Sequence, residues 1–433
     1  MITATIGKIF LEAFNKKFGT NYNAKSFFIE VYYPLFFNSN KYLLWINNSL
    51  FDQMKKKHIV DNMSSEEREE LLQRFISKIE NCKLPDASIA PGFPASEEKE
   101  FATTSGQVTN LNLSTTKDDF FLSWFGAALG IGVQNGISIL FSEPEILMDL
   151  FEGWKIYRKA LTENEKLLDY KLNTWNGQWI VHRYDKINFF PEQPMAGFNP
   201  YEATKDGISI ATQSWTKVLI KIAQHFGNSR MMGYVYRFDK TNTTIGFIPI
   251  NLEQIKRPID LYKKFFGMND NEDNKAENLW GTENSFRVCC QKGVIGVEAM
   301  QPEGLKKYFY SDKLPKIQNN DEEQIIRFKT YKIWLLAMLN NQELWDKSQE
   351  LAELLLKCSS SQERGKKEIP QIVEDVLSSK GRTAFIDNLT KLIPYLPEKG
   401  KIEDMGKTVN GMPIENVVYF LTLLKFNYEL KKL

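Results

Sequence analysis

Histidine is nearly absent from this chain of 433 residues: three are present, His58, His182 and His225, each far from the others. That scarcity excludes HExxH zinc sites, histidine-dependent acid–base pairs and HD phosphohydrolase sites. His225, near the end of a predicted helix, suits packing or capping better than metal ligation. Cysteine is scarce as well. Cys82, Cys289, Cys290 and Cys358 show no disulfide-framework spacing, and the adjacent pair cannot make a CxxC metal or redox site. The expected compartment is therefore the cytoplasm. A charge excess is also missing, with 55 Lys and Arg against 54 Asp and Glu, which excludes a dedicated non-specific polyanion binder.

One charge-free run, Phe120 to Phe141, is long enough to span a bilayer. It contains Gln134-Asn135-Gly136 and is punctuated by Gly126, Gly130, Gly132 and Gly136, so two buried elements joined by a glycine-rich turn fit it better. No membrane partner is expected. The N-terminal MITATIGKIFLEAFNKKF carries Lys8 and Glu12 inside its apolar pattern and reads as an amphipathic helix rather than a signal peptide.

What is abundant is apolar and aromatic material, 42% and 13% of residues, enough for a large core in two or three domains. Charge is uneven along the chain. Asp61 to Glu100 holds ten acidic and five basic residues, whereas Gly153 to Lys264 holds seventeen basic and ten acidic. The second stretch supplies enough cations for one basic face.

The predicted fold class is α+β: a helical N-terminal module, an antiparallel-sheet middle with helices, and a C-terminal helical bundle. Boundaries are expected at residues 1–82, 83–318 and 319–433. In the first module, Ser64 or Ser65 caps a helix to Ile79 whose first turn is rich in Glu. Pro, Gly, Ser and Thr from Leu84 to Asp119 read as long loops with a short strand near Val108 to Leu113. Three hairpins are predicted in the middle. Leu172–Trp175 and Gln178–Tyr184 flank Asn176-Gly177, a two-residue turn signature; Met231–Phe238 and Thr244–Ile250 flank Asp239 to Thr243; Phe286–Cys290 and Val294–Ala299 flank Gln291 to Gly293. Helices are expected at Trp215–Phe226 and Pro258–Phe266, each followed by glycine. Asn269 to Glu277 reads as a solvated loop and Ser311 to Glu323 as a hinge. Five helices follow: Glu322–Leu339, Glu343–Leu356, Ile369–Leu377, Thr383–Ile393 and Ile414–Leu430.

Several patterns carry the letters of known chemistry. Pro85-Asp86 followed by Glu97-Glu98-Lys99 satisfies the letters of a PD-(D/E)xK nuclease, in which acidic residues hold a divalent metal and Lys steadies charge beside the attacking water. That geometry needs adjoining strands, and FPASEEKEF is loop chemistry. The run GAALGIGVQNG lacks the GKS or GKT of a phosphate loop, and its glycines suit close backbone approach instead. No cofactor and no metal are expected. Basic residues of the middle are interleaved with Trp154, Tyr157, Trp175, Trp179, Tyr184, Tyr234 and Tyr236. Such a set suits phosphate neutralisation with base stacking, and equally a charged face over an aromatic core. The candidate nucleic-acid-binding residues are Lys155, Arg158, Arg183, Lys217, Lys221, Arg230, Arg237, Lys240 and Arg257. Three glycine-flanked amides join them: Gln107, Gln134 and Asn135, since an amide both donates and accepts in a groove.

In domain order and size, and in the closing segment MPIENVVYFLTLLKFNYEL, the chain resembles the large subunit of type I CRISPR RNA-guided surveillance complexes. The resemblance implies a non-catalytic protein of prokaryotic antiviral defence that reads a short flanking motif in duplex target DNA and holds guide RNA among other subunits. A metal-dependent nuclease centred on Asp86, Glu97 and Lys99 and a protein-binding scaffold are the alternative readings.

Overall fold

The computed structural model describes residues 2–46, 49–57, 59–82, 115–237, 243–267, 278–311, 313–316, 321–360, 368–396 and 399–432. They form an α+β protein with two compact units, Met1–Ile250 and Asn251–Leu433. This division differs from the boundaries read at 82/83 and 318/319. Within the first unit α1 (Ile2–Phe18) packs along a helix from the second predicted segment, and within the second unit α7 (Leu252–Phe266) packs on the first helix of the predicted bundle.

In the first unit, α2 (Ser65–Glu80) begins as predicted. Ser64 accepts from the Glu67 backbone, and Glu67 reciprocates on the Ser64 N–H. The charge-free run resolves into α3 (Lys117–Ala128), β1 (Ile131–Val133) and β2 (Ile137–Phe141). Among the described residues no helix is long and apolar enough to cross a membrane. A Cβ on Gly7 of α1 would lie 1.9 Å from the Leu122 carbonyl oxygen of α3, and one on Gly126 of α3 would lie 1.9 Å from that of Thr3. The two helices therefore touch backbone to backbone. Around this crossing the rings of Phe10, Phe14, Phe27, Phe125, Phe151 and Trp154 meet edge-on or tilted, all of them buried.

Next come α4 (Pro144–Glu163) and α5 (Leu172–Arg183). The predicted hairpin at Asn176-Gly177 is instead the interior of α5. Leu172, Trp175 and Trp179 recur at helical spacing and are fully buried, and the Asn-Gly pair serves tertiary contacts. Asn176 Nδ2 donates to the Ala128 and Gly130 carbonyls at 2.8 and 2.9 Å, ending α3, while its Oδ1 accepts the Trp154 indole N–H at 3.2 Å. Gly177 leaves room for the Gly132 carbonyl of β1, 2.3 Å from where a Cβ would sit.

A two-stranded ribbon, β3 (Tyr201–Thr204) with β4 (Gly207–Ile210), precedes α6 (Trp215–Phe226), which ends before Gly227 as expected and starts at a Ser214 cap. Then β5 (Arg230–Arg237) and β6 (Thr243–Asn251) realise the second predicted hairpin's strands. The sheet order is β1-β2-β5-β6, with β2 antiparallel to both β1 and β5.

In the second unit α7 starts at Leu252 behind an Asn251 cap, six residues before the predicted Pro258, which lies inside the helix. The predicted third hairpin is α8 (Glu283–Lys292) followed by a 3-10 turn at Val297–Met300. Thr282 caps that helix and Gly293 closes it in the left-handed conformation, so a good helix stop had been read as a strand turn. The helices α9 (Glu322–Leu339), α10 (Glu343–Ser360), α11 (Ile369–Ser378) and α12 (Arg382–Thr390) follow the prediction closely. An unpredicted α13 (Lys399–Asn410) precedes α14 (Ile414–Lys431). Its glycines and thin apolar stripe of Ile402, Met405 and Val409 hid it. Helix α14 is buried on all sides from Phe420 to Tyr428 and packs on α9 and α10. Its polar members are satisfied: Lys425 Nζ donates to the Ser311 carbonyl at 2.9 Å and Asn427 Nδ2 to Ser348 Oγ at 2.7 Å. The predicted strand at Val108–Leu113, the turn Asp239 to Asn242 and the loop Asn269 to Glu277 lie outside the described residues.

Candidate nucleic-acid interface

The end of the sheet that carries the β1–β2 turn collects the predicted residues most densely. Register pairs Val133 with Ile137, leaving Gln134, Asn135 and Gly136 as the turn. Asn135 and Gly136 both adopt positive φ, 65° and 68°, a conformation asparagine and glycine tolerate best. All three residues are exposed.

An amide chain anchors the turn. The Gln134 N–H donates to the Gln213 carbonyl at 2.9 Å, Gln213 Nε2 donates to Gln178 Oε1 at 2.8 Å, and Gln178 Nε2 donates to the Ala211 carbonyl at 2.6 Å. Gln213 directly precedes Ser214, whose hydroxyl accepts the Lys217 N–H at 3.2 Å and starts α6. The positive end of that helix and Lys217 in its first turn are thereby held beside the β1–β2 turn. Arg237 arrives from another side. It is exposed at the last position of β5 and pairs with Ile137, the residue after the turn, about 5 Å across the sheet.

The other candidates are placed elsewhere. Lys155 on α4 pairs with Glu152 at 2.5 Å and lies 5.1 Å over the Phe151 ring. Arg158 Nη2 donates to the Lys41 carbonyl at 2.6 Å, and burial pushes its guanidinium down to about 10, so it braces the chain from inside. Arg183 binds buried Asp149 at 3.1 Å and lies 4.5 Å over the Phe189 ring; Lys221 reaches Asp185 at 3.6 Å. Arg230 is exposed at the opposite end of β5, seven residues and roughly 23 Å from Arg237. Arg257 belongs to the second unit, where Nη1 donates to the Ala337 carbonyl at 3.5 Å and Nη2 lies 3.9 Å from Glu253. Gln107, Lys240 and the Asp86, Glu97 and Lys99 set lie outside the described residues.

All seven candidate rings are core: Trp154, Tyr157, Trp175, Trp179, Tyr184, Tyr234 and Tyr236 are each at most 3% exposed. The Trp175 and Trp179 indoles donate to the Gly153 and Asp149 carbonyls of α4 at 2.9 and 2.8 Å. They hold helix on helix and present no stacking face to solvent. His182 Nε2 lies 2.9 Å from the Pro194 carbonyl and its ring stacks on Phe198; burial lowers its pKa, favouring the neutral form. His225 stacks on Tyr184 with Nε2 2.7 Å from Glu145. Among the described residues no group of three His, Cys, Asp or Glu is placed to hold a metal ion.

Sequence reasoning missed Gln178, Gln213 and Ser214. The Ser214 cap was readable from the helix that follows it, whereas the two glutamines carry no local signal of their pairing. Compared with known proteins, the chain matches no family model, no curated protein and no solved structure.

Proposed function

We propose that this chain is a non-catalytic nucleic-acid-binding subunit of a cytoplasmic, prokaryotic RNA-guided antiviral complex, and that it touches duplex DNA through the turn end of its sheet. One observation carries the reading. Gln134 and Asn135, Lys217 and Arg237 come from three separate stretches of chain that the Ile137–Arg237 register, the Gln134–Gln213 bond and the Ser214 cap bring to one end of the sheet. An exposed amide pair, with Asn135 on positive-φ backbone, offers donors and acceptors to base edges. Beside it, a guanidinium, an ammonium and a helix N-terminus offer charge to phosphates. In the same reading guide RNA and partner subunits would occupy other surfaces of the chain.

Fluorescence anisotropy with short duplexes between 50 and 200 mM salt tests this. Binding is expected to weaken with salt, and Arg237→Ala to reduce affinity about tenfold and the salt slope by about one for all sequences. Asn135→Gly, which keeps the positive-φ turn, is expected to flatten sequence preference without changing the slope. Lys155→Ala is expected to change neither. Salt-independent binding, or an Arg237→Ala protein that binds like wild type, would overturn the reading.

A further inference from the structure

The second unit contains an open cleft of about 940 Å³ between the start of α9, the end of α14 and residues 307–308 and 313–316. That volume falls within the range of small-ligand sites. Its buried walls are Tyr308, Pro315, Phe328 and Tyr331, with Leu314 half-buried beside them. Five cations line it against three carboxylates. Two of those carboxylates are locally engaged: Asp321 caps α9 by accepting the Gln324 N–H at 3.0 Å, and Glu429 pairs with Lys432 at 2.7 Å. Lys313, Lys316 and Arg327 are exposed around the cleft and form no ion pair among the described residues. Five cations against three carboxylates leave the lining two positive charges in excess, a balance that favours an anion in the cleft.

We infer that this cleft is a binding site for a soluble nucleotide, with the polyphosphate held by Lys313, Lys316 and Arg327 and the base laid on the Leu314, Pro315 and Phe328 wall. A guanidinium grips phosphate oxygens in pairs, and lysines add point charge, which together suit a multiply charged phosphate better than a single carboxylate. The site does not depend on the sheet-end interface, which belongs to the other unit.

Isothermal titration calorimetry of the full chain with ATP, with inorganic tripolyphosphate and with a 5′-phosphorylated oligonucleotide tests the inference. ATP is expected to bind saturably, and tighter than tripolyphosphate because the base adds contact. The Lys313→Gln/Lys316→Gln double variant and Arg327→Gln are expected to weaken ATP at least tenfold. All three residues are exposed, so circular dichroism and melting should be unchanged, and duplex binding at the sheet end should be unaffected. Absence of saturable ATP binding, equal binding by wild type and variants, or binding of the oligonucleotide alone would overturn it.

Discussion

Gly126→Ala is expected to lower the melting temperature by about 4–8 °C, although alanine is the better helix former. The propensity gain is about 1 kcal/mol. Against it stands a methyl group placed 1.9 Å from the Thr3 carbonyl oxygen, far inside ordinary contact. Relief requires α1 to move off α3. The reciprocal contact of Gly7 with Leu122 means that both ends of the crossing open together. Moving apart also separates Phe10, Phe27 and Phe125, whose rings lie 5.0–6.5 Å apart. Overpacking of this kind costs about 3 kcal/mol or more, so the clash wins by about 2 kcal/mol, and a unit of this size converts that into several degrees. Gly406→Ala on α13 supplies the control: nothing lies within 4 Å of its Cβ position, and the same substitution there should stabilise slightly. A Gly126→Ala protein as stable as wild type would remove the helix crossing from the account.

Lys332→Met is expected to stabilise the protein at neutral pH by about 2 kcal/mol. Lys332 on α9 is buried, with Nζ 4.5 Å over the Trp345 ring. Burial, reinforced by the nearby Lys431 charge, pushes its ammonium from the ordinary 10.5 down to about 8. At about 1.4 kcal/mol per pKa unit, holding that proton in the folded state costs roughly 3 kcal/mol, of which the ring contact already returns part. The sign follows from proton counting. Between about pH 8 and 10.5 the unfolded chain binds this proton and the folded chain releases it, so the penalty fades as pH rises. The advantage of Lys332→Met in urea midpoints should therefore shrink by about 1 kcal/mol from pH 7 to 8.8. Comparing the variant with wild type cancels the buried thiols Cys289 and Cys290, pushed up to about 11 and 12 by burial, whose contribution is lost on the alkaline side. A variant less stable at pH 7, or a constant difference with pH, would contradict this.

Two Asn-Gly pairs show how far sequence carried the fold. Asn176-Gly177 has the letters of a hairpin, yet Leu172, Trp175 and Trp179 set a helical stripe around it, and the asparagine ends a different helix 46–48 residues earlier. Asn135-Gly136 is the pair that turns a strand, because Ile131-Gly-Val and Ile137-Ser-Ile flank it with short, fully buried strands. Local turn chemistry was right in kind and decided by tertiary contacts in place. Caps were more legible: Ser64 with Glu67, and Gly227, act on their own neighbours, so sequence distance hides nothing. The candidate interface was legible as residues and illegible as a site. Gln134, Lys217 and Arg237 are brought to one end of the sheet through β2–β5 register and the Gln134–Gln213 bond, contacts that span about a hundred residues for the strands and 79 for the bond. The basic-aromatic interleaving left two readings open, because a tryptophan that stacks on bases and one that donates to a helix carbonyl look identical in sequence, and the buried rings decide for the core.

The most direct test of the central proposal is purification of the tagged full chain from its native host, with sequencing of co-purified RNA and identification of stoichiometric partners. The account predicts a uniform short RNA with repeat-like ends and several partner subunits in fixed ratio. A protein recovered alone, free of nucleic acid, would contradict it.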